Sequence, residues 1–495
     1  MFELQKWARQ GVALALVLGA SGWVDAQPVA ASSHAVQAWE TWTDQSRLLA
    51  PVRGLAFGNK AALPLDISVD AGQRYQEMVG FGAAITDASA WLIQNRMSAV
   101  QREALLRELF GPAPGLGLSF TRLTIGASDF SMKHYSLDDV PTGQTDASLK
   151  HFSIDPMRAD VLPVVKRALA INPQLKVMAS PWSAPAWMKS NDSLIKGQLR
   201  PEAYDAFSRY LGKFSDAMEA EGLPLFALSL QNEPHFEPDG YPGMRVDSAT
   251  RAKLIGEHLG PLLAQRAKPV QILEWDHNWD EPQAPLQVLA DPKARASIAG
   301  VAWHCYVGEP AAQSLVHDAY PEKDAYFTEC AGGEGNSGWR ETLPWDVRHL
   351  IIGTTRHWAK GVLMWNLALD ENHGPHLGGC PDCRGVVIIN SKTGEVTRNL
   401  DYYALAHASR FVRPGAQRIA SSSGEGRLES VAFQNADDKS IVLIVLNSAA
   451  NQREFSVSMD GRRFVHQMPG ASVVTFVWGA KPLNPSLSPS TGRGG

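Results

Sequence analysis

Short apolar runs recur along residues 78–367 and alternate with segments of helical periodicity. This alternation is typical of a parallel α/β fold, in which helices cover both faces of the strands. Helical candidates include 201–221, which opens with Pro201, and 248–267. Eight runs separated by such segments fit a closed (β/α)₈ TIM barrel better than an open sheet. The runs lie at residues 78–84, 118–125, 175–180, 225–232, 270–274, 299–304, 325–329 and 362–367.

The pattern changes towards the C-terminus to an alternation of apolar and polar residues. Four segments show it, and Asp460-Gly461 between two strand candidates is a two-residue hairpin signal. Segment 65–69 has the same alternation and is expected to join that sheet. The sequence therefore predicts an α/β barrel with an attached all-β sandwich. The four segments are 428–433, 441–446, 455–459 and 473–478.

The first 26 residues have the features of a secretory signal peptide. Lys6 and Arg9 precede an apolar run at 12–18, and Val24-Asp25-Ala26 offers small residues for cleavage. An uncleaved anchor is the alternative, although the run is too short to span a bilayer. We therefore expect a secreted or periplasmic protein, in a compartment where disulfides can form.

These patterns divide the chain into five parts. We expect a signal peptide (1–26), a segment that contributes strands to the sandwich (27–75), the barrel (76–400), the C-terminal sandwich (401–480) and a disordered tail rich in Pro, Ser and Gly (481–495). The 46 basic and 51 acidic residues give a net charge of −5 over 495 residues, which does not favour nucleic acid as a partner. No second apolar stretch is long enough for a transmembrane segment. The oligomeric state is left open.

Two glutamates follow the apolar runs at positions where barrel proteins carry reactive groups. Glu233 closes the fourth run and Glu329 closes the seventh, and residues at the carboxyl ends of barrel strands surround one mouth. Strands four and seven lie roughly across that mouth, so the two carboxylates can flank a scissile bond. Such a pair suits glycoside hydrolysis, and a separation of about 5 to 5.5 Å is expected for a retaining enzyme.

Several longer motifs resemble glycoside hydrolase family 30, the glucosylceramidase-like enzymes. They are GFGAAITD at 80–87, Arg122, ASDF at 127–130, SPWSAPAW at 180–187, NEP at 232–234, HCY at 304–306 and WNLAL at 365–369. The resemblance covers nearly all of the expected mature chain. It implies a barrel with a β-sandwich, retaining β-glycosidase activity and no metal or other cofactor. It also implies that Glu233 is the acid/base and Glu329 the nucleophile.

The same resemblance implies further site residues around the two glutamates. It places Asp129, Trp182 and Trp365 around the non-reducing sugar and Asn232 on its 2-hydroxyl, and it has His304 and Tyr306 orient the glutamates. Arg122 is expected to help keep a carboxylate ionised, with a structural salt bridge as the alternative. Asp87 is interpreted as a cap for the first helix rather than as a site residue.

Two groups of cysteines allow different chemistry. His373, His376, Cys380 and Cys383 lie within eleven residues and could form a zinc site. Export and the relatives that the resemblance suggests favour a Cys380–Cys383 disulfide instead. Cys305 and Cys330 are expected to be small buried thiols.

The sequence therefore indicates an exported retaining β-glycosidase that acts on β-glucosides, with glucosylceramide or a related glycolipid as the leading substrate. An endo-β-1,6-glucanase and a β-xylosidase are the alternatives within the family. A barrel that binds carbohydrate without cleaving it is the alternative from another class. The presence of both glutamates argues against it.

Overall fold

The computed structural model describes residues 34–333 and 338–479. The expected signal peptide and the expected tail at 481–495 lie outside the described residues. Within the described residues, no helix is both long and apolar enough to cross a membrane.

Eight parallel strands close into a barrel, and each predicted apolar run contributes one of them. The strands lie almost completely buried because helices cover their outer faces. The prediction of a (β/α)₈ barrel is confirmed. The strands are β1 (Gly80–Ala84), β2 (Phe120–Ile125), β3 (Lys176–Pro181), β4 (Ala227–Ser229), β5 (Gln271–Asn278), β6 (Ile298–His304), β7 (Asp324–Glu329) and β8 (Ala359–Asn366).

Helical segments follow every barrel strand and form the outer layer. Two of them, Leu254–Leu259 and Val347–Gly353, are π-helical stretches within longer helices. The α-helices are Asp87–Asn95, Ala99–Phe110, Val161–Ile171, Tyr204–Ala220, Ser248–Lys253, Gly260–Ala264, Gln283–Ala290, Pro292–Ser297, Ala312–Ala319, Trp339–Asp346, Thr354–Arg356 and Leu400–Ser409. Short 3₁₀ turns lie at Asp155–Met157, Ala186–Met188, Pro201–Ala203 and Glu425–Arg427.

The lower part of the barrel interior is a packed apolar plug, which leaves the polar chemistry to the carboxyl ends of the strands. Gly82 shows how tight this packing is, because a Cβ there would lie 1.8 Å from the carbonyl oxygen of Phe120. A side chain at position 82 would therefore force the first two strands apart. The plug consists of Phe120, Met178, Ala227, Leu273, Ala302, Tyr326 and Leu363.

Nine strands form the sandwich, and they come from both ends of the described chain. The N-terminal strand Ala35–Trp42 pairs with the last strand, Ser472–Trp478, so neither end forms the domain alone. The remaining strands are Ala50–Ala56, Asp66–Glu77, Gln417–Ser421, Leu428–Gln434, Ile441–Asn447, Arg453–Met459 and Arg462–Met468. Short strands also lie beyond the barrel at Gly332–Gly333, Ala368–Leu369, Cys383–Arg384, Val387–Ile389 and Val396–Arg398.

Strand Asp66–Glu77, which contains the predicted segment 65–69, connects the two parts of the sandwich. Its first residues pair in parallel with Arg453–Met459, and its later residues pair antiparallel with Gln417–Ser421. The predicted hairpin turn at Asp460-Gly461 joins Arg453–Met459 to Arg462–Met468, and both turn residues have positive φ. These values match a type I′ turn.

The helix Leu400–Ser409 corrects the expected start of the sandwich at residue 401. It follows β8 as part of the barrel layer, and the sandwich resumes only at Gln417. His407 at the helix end connects to both terminal strands, because its ring nitrogens lie 2.9 Å from Thr475 Oγ1 and 2.8 Å from Thr41 Oγ1. The helix is buried on nearly all sides, so its sequence has no polar face to reveal it.

The expectation of free thiols at Cys305 and Cys330 is wrong. The two residues form a disulfide with a Cα–Cα distance of 5.4 Å. They follow neighbouring strands β6 and β7, whose parallel pairing brings His304 beside Glu329. Their proximity is a consequence of the barrel and could not be inferred from a sequence separation of 25 residues.

We predict that this bond stabilises the barrel more than the Cys380–Cys383 bond does. In the chain-entropy treatment, closing a 25-residue loop is worth about 3.5 kcal/mol, and the three-residue separation of the second bond gives clearly less. The double substitution C305S/C330S should therefore lower the denaturation midpoint more than C380S/C383S. Denaturant titration of the oxidised proteins measures these midpoints. An equal decrease of the midpoint in both double variants would contradict this explanation.

Candidate active site

One cavity of about 610 Å³ opens at the carboxyl ends of the barrel strands, and both glutamates line it. Glu233 lies four residues beyond the end of β4 and has a left-handed backbone with φ of 46°. Glu329 is the last residue of β7. The strand assignment made from sequence predicted this shared opening.

The buried guanidinium of Arg122, on β2, connects the residues below the cavity. It donates 2.7 Å hydrogen bonds to Asn232 Oδ1 and Asp276 Oδ2 and forms an ion pair with Glu329. Arg122 is completely buried. Because a lone buried charge is costly, the two carboxylates and the guanidinium depend on one another for charge balance.

Asp276 is the central acceptor of the site, and sequence reasoning missed it. Its Oδ2 accepts from Ser180 Oγ at 2.7 Å and Ser229 Oγ at 2.6 Å, and its Oδ1 accepts from Thr328 Oγ1 at 2.7 Å. Although burial opposes ionisation, Arg122, His304 and Ser229 hold the pKa of Asp276 well below its usual range.

The position of Asp276 explains why it was missed. The predicted fifth run ended at residue 274, whereas β5 continues to Asn278 through a break in its pairing register at residues 275–277. Trp275 and Asp276 both have positive φ there. This bulge turns Asp276 into the barrel mouth. The polar sequence WDHN after the run was the only signal for it.

His304 bridges Asp276 and Glu233. Its Nε2 lies 3.0 Å from Asp276 Oδ1 and its Nδ1 lies 3.1 Å from Glu233 Oε1. Because each ring nitrogen faces a carboxylate oxygen, both nitrogens are placed to donate, which requires the imidazolium. Burial opposes this charge, but Glu329, Asp276 and Glu233 raise the pKa of His304 to about 9.

The two candidate catalytic carboxyls have different surroundings. Burial opposes ionisation of Glu233, yet the adjacent imidazoles of His277 and His304 lower its pKa to about 2. Burial and the charge of Glu233 raise the pKa of Glu329 above its usual value, against the opposing effect of Arg122. Glu233 and His304 therefore share one proton, which lies on the imidazole.

Tyr306 and Asn232 contact the carboxyl network directly. The Tyr306 hydroxyl donates to Glu329 Oε1 at 2.8 Å, while the rest of its side chain reaches the surface. Asn232 uses its carbonyl oxygen for Arg122, so its NH₂ group is the part left for a ligand. Both residues line the cavity.

Asp129, Trp182 and Trp365 form the inner wall of the cavity. The two indole rings stack with centroids 5.0 Å apart, and the Arg122 guanidinium lies 4.8 Å from the Trp182 ring centroid. Asp129 is 8% exposed, and its Oδ1 has no hydrogen-bond partner in the protein. Burial, together with Glu329 and Glu233, raises the pKa of Asp129 to about 8. Such a neutral, unsatisfied carboxyl is suited to a ligand hydroxyl.

The rim loop after β8 contains a Cys380–Cys383 disulfide with a Cα–Cα distance of 5.5 Å. His373 and His376 direct their Nδ1 atoms to the carbonyl oxygens of Cys383 and Gly378 instead. The structure thus agrees with the disulfide interpretation, and the oxidised cysteines offer no thiolate for the alternative zinc site.

Asp87 is not the helix cap that the sequence suggested. Thr86 is the cap, since its Oγ1 accepts from the backbone N–H of Ser89, and Asp87 is the first helical residue. The Asp87 carboxylate instead accepts from Ser131 Oγ at 2.7 Å and Tyr135 O–H at 2.9 Å. It therefore holds the loop that carries Asp129.

A barrel with two carboxylates at the ends of β4 and β7, facing a cavity walled by stacked tryptophans, defines a glycoside hydrolase. The family assignment follows from direct comparison. Residues 78–412 match the glycosyl hydrolase family 30 TIM-barrel domain, and residues 415–476 match the family 30 beta sandwich domain. The chain belongs to this family.

Relatives within the family have different named activities. An endo-1,6-beta-D-glucanase from Aspergillus fumigatus is 34% identical over 459 residues, covering 87% of this chain and 91% of the relative. The lysosomal acid glucosylceramidase of Mus musculus is 28% identical over 454 residues, covering 86% and 85%. A solved endo-beta1,6-glucanase structure superimposes with a TM-score of 0.83 at 32% identity, covering 90% of this chain and 100% of that one.

We predict a pH-dependent stability effect for D87N. Burial raises the pKa of Asp87 from 3.8 to about 6, although Ser131 and Tyr135 oppose the shift. The stabilising contribution of this group is therefore present below about pH 4 and is lost as the pH rises through 6. An Asn side chain at this position can accept the same hydrogen bonds without the cost of burying a negative charge.

The variant should therefore gain stability relative to the wild type between pH 4 and pH 7. The change is at most about 3 kcal/mol, since one pKa unit corresponds to about 1.4 kcal/mol. Thermal unfolding across this range measures it. A difference in stability that does not vary with pH would rule out the proposed burial effect.

Proposed function

We propose that this family 30 hydrolase is a retaining endo-β-1,6-glucanase. The observation that carries the reaction type is the pair Glu233 and Glu329 in one cavity, joined through His304, Asp276 and Arg122. Two carboxyls with separate partners can divide the roles of proton donor and nucleophile.

Glu329 acts as the nucleophile in this proposal. Arg122 and Tyr306 each donate to one of its carboxyl oxygens, which orients the group and favours its ionised form. Attack on the anomeric carbon forms the Glu329 ester and breaks the glycosidic bond. As the bond to the new ester forms, Glu329 loses its charge and Tyr306 remains as a donor beside it.

Glu233 acts as the acid and then as the base. The proton that it shares with His304 passes from Nδ1 to Glu233 Oε1, which lies 3.1 Å from that nitrogen, and from there to the leaving oxygen. Water then enters and gives a proton to Glu233 as its oxygen bonds to the anomeric carbon, which breaks the bond to Glu329 and restores that carboxylate. The imidazole keeps its contact with Asp276 throughout.

The inner wall suits the sugar whose bond is cleaved. Asp129 offers an unpartnered oxygen to sugar hydroxyls, Asn232 offers its NH₂ group to the 2-hydroxyl, and Trp182 and Trp365 enclose the apolar faces. A contact to the 2-hydroxyl strengthens as the oxocarbenium-like state forms. These roles follow the resemblance, and the geometry is compatible with them.

The sequence indicated glucosylceramide as the leading substrate. The choice of glucan instead rests on two observations. The fungal relative and the solved structure named as β-1,6-glucanases are more similar in sequence to this chain than the mouse glucosylceramidase is. In addition, His277 and Asn278 line the cavity beside Glu233, and such polar groups suit a leaving sugar better than an aliphatic chain. Glucosylceramide remains the second candidate because of the mouse relative.

We also propose that the protein acts outside the cytoplasm. The support is the signal-like sequence at 1–26 together with two disulfides in the described residues. Oxidising compartments maintain such bonds.

We predict that polymeric β-1,6-glucan is cleaved internally, with oligosaccharides of several lengths among the first products. Glucosylceramide in detergent micelles and an aryl β-xyloside should have clearly lower kcat/KM. Chromatography of early products and proton NMR of the first anomer measure both points. Release of glucose alone, or a first product with the α configuration, would contradict endo action or retention.

We expect F236A to impair hydrolysis of the polymer more than hydrolysis of small substrates. Phe236 is 45% exposed and lines the cavity beyond Glu233, where a sugar on the leaving side can stack on it. Its loss should raise KM for the glucan about 10-fold, or roughly 1.4 kcal/mol, with a smaller effect on an aryl β-glucoside. Equal changes for both substrates would exclude this contact.

Two glutamate variants distinguish the catalytic roles. E329A removes the nucleophile and should abolish turnover for every substrate. E233A removes proton transfer, worth about 10²- to 10⁴-fold, so an aryl glucoside with a good leaving group should still form the ester. Added azide should then yield the β-glycosyl azide from E233A and the α-azide from E329A. The assignment is falsified if the anomers are reversed.

A further inference from the structure

Two histidines and one carboxylate converge at the leaving-group side of the cavity. Glu233, His277 and His304 each offer one ligand atom, and these three atoms lie within 4.8 Å of one another. In the described ranges 34–333 and 338–479, this is the one group of three or more histidine, cysteine or acidic side chains with such spacing. We call it the His₂Glu cluster.

The distances are compatible with a small tetrahedral cation after a modest adjustment. Metal–ligand bonds of about 2.0 to 2.1 Å give tetrahedral edges of about 3.3 Å. The Glu233 Oε1 atom lies 3.1 Å from His304 Nδ1 and 3.6 Å from His277 Nδ1. Both edges are close to that value, and all three ligand atoms lie within 4.8 Å of one another.

The ligand atom of His277 lacks a hydrogen bond. His277 is 8% exposed, and its Nδ1 is buried without a partner in the protein. At 3.6 Å from Glu233 Oε1 it is too distant for a normal hydrogen bond. A buried nitrogen that faces a carboxylate without a hydrogen bond is available to a ligand.

His304 already has the support that a metal-binding histidine needs. Its Nε2 lies 3.0 Å from Asp276 Oδ1, the carboxylate–histidine arrangement that orients imidazole ligands in metal sites. The carboxylates of Glu233 and Asp276 on either side of His304 favour positive charge between them. Glu233 and His277 line the cavity, so the cluster borders open space on that side.

We infer that the His₂Glu cluster binds Zn²⁺ and that the bound ion inhibits hydrolysis. Imidazole nitrogen favours zinc, whereas Mg²⁺ prefers oxygen ligands. The inhibitory half of this inference rests on the proposed role of Glu233, because the ion occupies the oxygen that protonates the leaving group. The zinc here is an inhibitor, which is compatible with the expectation of a hydrolase without a metal cofactor.

Calorimetric titration of the oxidised full chain with zinc chloride, in a buffer that does not bind metals, tests the site. We expect one equivalent in the wild type and binding weakened at least about 10-fold in H277N. The control H376N alters a histidine whose Nδ1 contacts the carbonyl of Gly378, and it should bind zinc like the wild type. Unchanged affinity in H277N, or loss of binding in H376N, would overturn the site.

Inhibition is measured separately from binding. Zinc should inhibit the wild type, a chelator should restore the activity, and Mg²⁺ at the same concentration should have no effect. The zinc concentration that halves the activity, taken relative to each variant without zinc, should be at least about 10-fold higher for H277N. Full zinc occupancy with undiminished hydrolysis would overturn the inhibitory role.

The binding measurement needs no substrate. If β-1,6-glucan is not cleaved, the proposed function fails while the calorimetric result still decides the metal site. An aryl β-glucoside or any other substrate found in the panel then serves for the inhibition test.

Discussion

The buried guanidinium of Arg122 is the interaction on which the site depends. It joins Asp276 on β5, Asn232 after β4 and Glu329 on β7, and all of these contacts are removed from bulk water. Loss of one charge from such a network leaves the others uncompensated, at a cost of about 3 to 5 kcal/mol. The carboxylates can therefore remain ionised only when β2, β5, β7 and the segment after β4 meet at one point in the folded barrel.

The charges around Arg122 suit a reaction that develops positive charge. In the proposed mechanism Glu329 attacks as a carboxylate, so the two positive charges of Arg122 and His304 then face three negative charges on Asp276, Glu233 and Glu329, while the raised pKa of about 8 keeps Asp129 neutral at pH 7. An oxocarbenium-like sugar placed there meets an excess of negative charge fixed in advance. The network thus links structural stability to stabilisation of the transition state.

Sequence patterns were sufficient for features that depend on neighbouring residues. The eight buried runs predicted every barrel strand, and the turn at Asp460-Gly461 predicted its hairpin. Strand ends also identified Glu233 and Glu329, because the barrel brings all its carboxyl ends to one mouth. The motifs of the family then contributed Arg122 and His304 as site residues.

Features that depend on distant parts of the chain were missed. Asp276 enters the site through a register break in β5, and periodicity does not reveal a bulge. Cys305 and Cys330 meet because β6 and β7 are neighbours, although each is an isolated cysteine in the sequence. Segment 27–75 was expected to contribute strands to the sandwich, but the pairing of Ala35–Trp42 with residues more than 400 positions away could not be inferred from the sequence.

The part of the cavity beside Glu233 shows why the substrate specificity is harder to derive from the sequence than the type of reaction. In the proposed mechanism His304 supplies the proton to Glu233, and its contact with Asp276 holds the ring in place. His277 is not needed for that transfer, yet it is buried with an unpartnered nitrogen directed at the same carboxylate. Because an unsatisfied buried polar atom costs about 1 to 3 kcal/mol, a ligand that satisfies it gains affinity. A hydroxyl of a leaving sugar and a zinc ion both can do so, whereas the aliphatic chain of a lipid cannot.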